Sequence, residues 1–153
     1  MPPIVKFGPN DSTWRKVAEG VSKGEIYVGD VFDDLIDELI PGIDRSNVAM
    51  GYCHYGPESS NSLTISMVEY LAIAWGELTI QTDDGQEATA GPGEGIRLLP
   101  GTNVTYSTSV DTLMWFFTSP GYRHTPYSLQ VESEYFEPGS PGPIDLGRLG
   151  TRQ

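Results

Sequence analysis

Every second residue from Leu63 to Trp75 is apolar with one exception: Leu63, Ile65, Met67, Glu69, Leu71, Ile73 and Trp75. A period of two places all seven side chains on one face of a β-strand, whereas a helix would scatter them around its axis. The pattern predicts a long strand with one face turned to a core and a carboxylate set into that face. Inside a barrel such a carboxyl is poorly solvated. Its pKa then rises toward the range in which a Glu exchanges protons near neutral pH.

The same pattern of short strands runs through the middle of the chain. After Asn47 come "NVAMGYCHYG", "NSLTISMVEYLAIAW", "GELTIQT", a "DDG" turn at Asp83 to Gly85, "GIRLLPG", "NVTYSTS" and "DTLMWFFTS". Short strands joined by Gly-rich turns predict an all-β fold, a small antiparallel β-barrel or jelly roll. One short helix or turn is expected earlier, where Phe32, Leu35, Ile36 and Leu39 fall at helical spacing behind Asp33 and Asp34 and the run ends at Pro41 and Gly42. The expected organisation is an N-terminal arm over 1–24, with a short strand at Ile4 to Phe7, a single β-barrel domain over 25–135, and a Pro/Gly-rich tail over 136–153. A chain of 153 residues carries one substantial core and is too short for two ordinary domains.

Charge narrows the partners. Twenty-one acidic residues against 9 basic give a formal net charge of −12, which disfavours nucleic acid and anionic membrane surfaces, since both call for a basic face. No stretch approaches the ~18 apolar residues of a membrane span, and no signal-peptide pattern opens the sequence. Cys53, the one cysteine, has no partner for an internal disulfide, so a cytoplasmic protein is expected.

Two segments resemble the conserved motifs of the cupin superfamily. In "EYLAIAWGELTI", Glu69 is followed after six residues by Gly76, as in the first cupin motif, and "GPGEGIRLLPG" is similar to the second, with the family spacing from Gly93 to Gly101. The proline has moved to Pro100, leaving Leu99 where the pattern has Pro. Glycines at both turns make physical sense, because a small barrel turns sharply at each end and Gly accepts positive φ without strain. The resemblance spans roughly residues 47 to 120. It looks closest to the ethanolamine-utilisation EutQ-like cupins, through the "GEIYVGD" and "MGYCHY" strands. It implies a cupin barrel and, as for most small cupins, a homodimer, for which a Trp75 exposed at its strand end would suit the interface. Most cupins hold a divalent metal through His-x-His before the Glu and a His after the second motif. Here Leu63, Thr64 and Ile65 stand before Glu69 and Val104 after the second motif, and neither Leu, Ile nor Val ligates a metal. Glu69 is the one retained member of that ligand set, so no cofactor and no metal are expected.

His54 lies in a strand whose even positions are Val48, Met50, Tyr52 and His54, read as a second face of the barrel interior shared with Glu69. Glu69 and His54, with Tyr52 as orienting hydroxyl, form a candidate acid/base group for metal-independent isomerase, cyclase or lyase chemistry on a small organic molecule. The same pair is equally readable as a hydrogen-bonded core histidine and its partner. Tyr106, Trp115 and Phe117 are candidate substrate-binding residues lining an aromatic pocket, although Trp115 and Phe117 suit ordinary core packing as well. Cys53, of opposite parity to His54, is expected to point away from the pair. Two further alternatives stand: a non-catalytic binding or accessory cupin of a catabolic pathway of the ethanolamine-utilisation type, and a metallo-cupin with His54, Glu69 and His124 as unusual ligands.

Overall fold

The computed structural model describes residues 13–17, 22–30, 49–119 and 131–136, with residues 4, 6, 8 and 9 near the start. The expected helix at 33–39, His124 and the tail beyond 136 lie outside the described residues. Twelve strands are described: β1 (Thr13–Val17), β2 (Ser22–Lys23), β3 (Ile26–Asp30), β4 (Ala49–Tyr55), β5 (Ser59–Thr64), β6 (Val68–Trp75), β7 (Leu78–Thr82), β8 (Glu87–Ala90), β9 (Gly95–Leu98), β10 (Asn103–Thr108), β11 (Thr112–Ser119) and β12 (Val131–Phe136). They form a seven-stranded sheet in the order β12-β1-β3-β4-β11-β6-β9 and a five-stranded sheet in the order β2-β5-β10-β7-β8. Every pairing is antiparallel. This is the expected all-β jelly roll. Part of the expected arm, Thr13–Val17, is a strand inside the large sheet, between β12 and β3. No helix among the described residues is long and apolar enough to cross a membrane.

The core between the sheets comes from alternate residues of both inner faces, as a sandwich requires. The large sheet supplies Ile26, Val28, Cys53, Tyr55, Leu71, Ile73, Met114 and Phe116, and the small sheet supplies Leu78, Ile80, Val104 and Tyr106. The alternation from Leu63 to Ile73 is kept, but not as one strand. The chain leaves β5 after Thr64 and enters β6 at Val68, and the link is held by Ile65 N–H donating to Thr102 O (2.8 Å) and Gly101 N–H donating to Ile65 O (2.6 Å). Ile65 and Met67 stay fully buried across this change of sheet.

Parity breaks at the end of β6. Met114 pairs with Ile73 while its neighbour Leu113 pairs with Trp75, so β6 carries one extra residue there, a β-bulge. The bulge turns Trp75 to the outer face, against the reading that grouped it with Glu69. It is half-buried in a second cluster with Trp14, Tyr27, Tyr52 and Leu113, rather than exposed at a strand end.

Gly76 closes this bend at φ +88°. A Cβ there would meet the Asp111 carbonyl and stand 2.7 Å from Thr112 Cα, so the turn requires glycine on both conformational and steric grounds. Thr112 fixes the same corner: it is 0 % exposed, and its hydroxyl accepts from Glu77 N–H (3.1 Å) and reaches Glu77 O (3.0 Å).

Candidate functional site

Glu69 points between the sheets, and Tyr106 Oη donates a hydrogen bond to Glu69 Oε1 at 2.7 Å. The two residues come from opposite sheets, β6 and β10, so this bond spans the barrel. Around them lies a cavity of about 30 Å³, measured as the space open to the centre of a water molecule. Its apolar wall includes Val28, Leu63, Met67, Leu71, Met114 and Phe116. Its polar side is Glu69, Tyr106, Tyr55, Asn61, Thr118 and the Cys53 thiol. Among the described residues, no Lys, Arg or His lines it.

Burial pushes the Glu69 carboxyl from its ordinary 4.5 up to about 7, and the Tyr106 hydrogen bond pulls partly against that rise. Glu69 retains some accessible area because its carboxyl borders the cavity. Protein nevertheless encloses the group, and it is this enclosure that removes bulk water from the charge. The rise expected from sequence is therefore present, with its expected cause. Burial also drives Tyr106 and Tyr55 well above the ordinary tyrosine range, and the neighbouring Glu69 charge adds to both. Their rings lie 6.5 Å apart. Both phenols are thus hydrogen-bonding groups rather than bases at neutral pH.

His54 and Tyr52 are not in this site. In β4 the residues facing the cavity are Cys53 and Tyr55, so the parity is the reverse of that read from the sequence. Tyr52 packs on the outer face of the large sheet, its ring 4.0 Å from that of Trp115 and 6.4 Å from that of Trp14. His54, one strand position from Tyr27 and Leu113, brings Nε2 to 3.5 Å from Asp111 Oδ1. The physical reason is that β4 is a central strand buried on both faces, which leaves alternation with nothing to distinguish in from out.

Trp115 and Phe117 are corrected in the same way. Trp115 belongs to the outer cluster, and Phe117 is 37 % exposed beside Tyr70, ring to ring 6.3 Å. Of the three expected pocket aromatics, only Tyr106 lines the cavity. The ligand set His54, Glu69 and His124 is not assembled either: His54 and Glu69 lie on opposite faces of one sheet, and His124 is outside the described residues. Cys53, expected to point away from the site, borders it.

Tyr55, Asn61 and Thr118 are site residues the sequence reading missed. Asn61 could have been found by carrying the odd-numbered alternation one step back from Leu63. Thr118 follows Met114 and Phe116 in the same way. Tyr55 required the correct parity of β4.

No family model matches the sequence, and no curated protein matches it. Solved structures do. EutQ from Clostridium difficile superposes with a TM-score of 0.53 at 22 % identity, covering 69 % of this chain and 80 % of that one. A putative ethanolamine utilization protein Q from Salmonella typhimurium gives 0.54 at 17 % identity, covering 69 % and 78 %. A cupin-like protein from Thermotoga maritima gives 0.58 at 12 % identity, covering 78 % and 86 %. At these identities the likeness concerns architecture alone: the described strands form two antiparallel sheets closed around an interior that holds the Glu69 carboxyl, the same fold as these cupin-like structures.

Proposed function

We propose that the barrel interior binds a small organic molecule and that Glu69, held by Tyr106, moves a proton on it without a metal, in chemistry of the isomerase, cyclase or lyase type. The observation that carries this reading is the 2.7 Å Tyr106–Glu69 hydrogen bond on the polar side of a cavity whose other wall is aliphatic and aromatic. A carboxyl with a pKa of about 7 is divided between acid and base at neutral pH, where general acid–base catalysis is most effective. Tyr106 fixes one carboxyl oxygen and leaves the other to face a substrate. The role first given to His54 passes to Tyr106 as an orienting group and not as a second base.

Proton exchange tests this directly. Small carbonyl compounds incubated in deuterated buffer should exchange the C–H next to the carbonyl faster with the protein than without it, read by NMR. Glu69→Gln should remove the acceleration. Exchange that is equally fast with folded Glu69→Gln would sink the proposal.

A second reading, a binding or accessory cupin without turnover, is favoured by one observation. Glu69 has no second acid or base raised to about 7 beside it among the described residues, since burial pushes both tyrosines of the cavity well above their ordinary range. The likeness to ethanolamine utilization proteins suits such an accessory role in a catabolic pathway. A cytoplasmic location fits Cys53, the one cysteine of the chain, buried as a thiol. The homodimer is proposed on the same footing, and solution mass at micromolar concentration reads it.

A further inference from the structure

Two interior side chains carry polar atoms with no partner among the described residues. Asn61 is 1 % exposed, and neither its Nδ2 nor its Oδ1 makes a hydrogen bond. Thr118, also 1 % exposed, has an unpartnered Oγ1. Both line the Glu69 cavity. The Asn61 amide does lie near enough to the Tyr55 hydroxyl to favour its ionised form, but without hydrogen-bond geometry. Even if that contact formed, the Asn61 carbonyl and one N–H would remain unanswered. Buried polar groups are nearly always paired, and exceptions inside a cavity point to something that enters it.

The register shows how these groups are set. Asn61 pairs with Tyr106 across β5 and β10, and Glu69 pairs with Thr118 across β6 and β11. Each sheet therefore presents one cross-strand polar pair to the interior, and the Tyr106–Glu69 bond ties the two pairs together. Three properties of the occupant follow. With no basic residue among the described lining residues, an anion would be buried without compensation. An ammonium has donors only, so it would leave the Asn61 N–H groups unanswered. The volume admits two or three waters, or a molecule of about four or five non-hydrogen atoms.

Resting on the reading of this cavity as the ligand site, we infer that it takes a short uncharged molecule carrying a hydrogen-bond donor and acceptor on one carbon, a primary carboxamide of the size of acetamide or propionamide. Its amide edge pairs with Asn61 in two hydrogen bonds. The second lone pair of its carbonyl oxygen is left for the proton of Glu69, and Thr118 takes the remaining N–H.

Calorimetric or NMR titration tests this with acetamide and propionamide, using acetate and ethylammonium as charged molecules of similar size. The amides should bind at least about tenfold more tightly than either ion, a ratio set by the unpaired charge each ion would bury. Asn61→Leu should lose amide binding with the fold kept, read by circular dichroism, because the Tyr55 contact is all that goes with the amide. Thr118→Val serves as a second, near-isosteric variant and should weaken binding with the fold intact. Among the described residues, the titratable groups facing Glu69 are Cys53 and Tyr55 from β4 and Tyr106 from β10. If protonated Glu69 is the binding form, amide affinity falls about tenfold from about pH 6 to about pH 8. Glu69→Gln keeps the binding and loses that dependence.

Tighter binding of acetate or ethylammonium, full amide affinity in Asn61→Leu, or no amide binding at all would overturn the inference. The two proposals fail separately. Amide binding with no proton exchange on any carbonyl compound sinks the acid/base reading and leaves this one standing. Glu69-dependent exchange on carbonyl compounds with no amide binding does the reverse.

Discussion

The two faces of the large sheet are both buried at β4, yet they are built on different principles. The outer face is a mat of aromatic rings, Trp14, Tyr27, Tyr52, Trp75 and Trp115, in which the polar tips reach partners: Trp14 Nε1 donates to Pro9 O at 2.9 Å, and Tyr27 Oη donates to Glu25 Oε2 at 2.8 Å. Aromatic surface there stabilises by area and the polar ends stay satisfied. The inner face mixes aliphatic walls with the Glu69 carboxyl near neutral pKa and the Thr118 hydroxyl, and the small sheet sets the Asn61 amide into the same cavity; the Thr118 hydroxyl and the Asn61 amide have no hydrogen-bond partner among the described residues. A face built only for packing would not retain such groups. The contrast separates the chemistry of Glu69 from the packing around His54, although the two sit in strands of one sheet.

The sharpest way to break this contrast is through proton transfer. Glu69→Gln should slow carbonyl C–H exchange by about 10²–10⁴, the usual contribution of a positioned general acid or base. His54→Gln should leave the rate unchanged. Equal losses in both variants would mean that the faces communicate and that the division is false.

The next effect is on stability as a function of pH. Glu69 has a folded pKa of about 7 against an ordinary value of 4.5, so between these limits the folded state holds a proton that the unfolded chain releases. The contribution of this group is therefore most favourable below the lower value, falls as pH rises toward about 7, and is flat beyond. The full change is on the order of 3 kcal/mol. Glu69→Gln should remove it, so that the difference in denaturation midpoint between variant and wild type widens in favour of the variant as pH rises from about 4 to about 8. A constant difference would show that Glu69 is better solvated than its position indicates.

A smaller effect tests the bend that divides the faces. Gly76→Ala forces a side chain into positive φ and against the backbone of Asp111 and Thr112, which should destabilise by about 1–3 kcal/mol from the strain alone. Its readout on the outer face is the fluorescence of Trp75, which the bulge turns outward. The smallest effect belongs to the outer face: Asp111→Asn, which weakens the 3.5 Å contact to His54, should change stability by about 1 kcal/mol. The pH response of the cavity should stay as it was.

Some of this molecule follows from local chemistry. The period of two between Leu63 and Ile73 marks extended backbone and faces Glu69 inward, whichever strand lies alongside; the raised pKa follows once the opposite sheet encloses that face. Turn glycines are equally local: Gly76, Gly93 and Gly101 all sit at positive φ, as their place between short strands requires. The inward direction of Tyr106 belongs here too, since its strand alternates apolar Val104 and Tyr106 with polar neighbours.

Other features depend on the assembled sheets. In "AMGYCHY" both faces are apolar enough to be buried, so only the position of β4, hydrogen-bonded between β3 and β11, decides that Cys53 and Tyr55 face the cavity while Tyr52 and His54 face away. The bulge that reverses Trp75 arises from pairing with β11. The site itself joins residues 61, 69, 106 and 118, brought together by strand register and by one hydrogen bond across the barrel. Sequence determined that a carboxyl would be buried; tertiary structure decided which groups would be buried with it, because a strand covered on both sides takes its orientation from its neighbours and not from its own pattern.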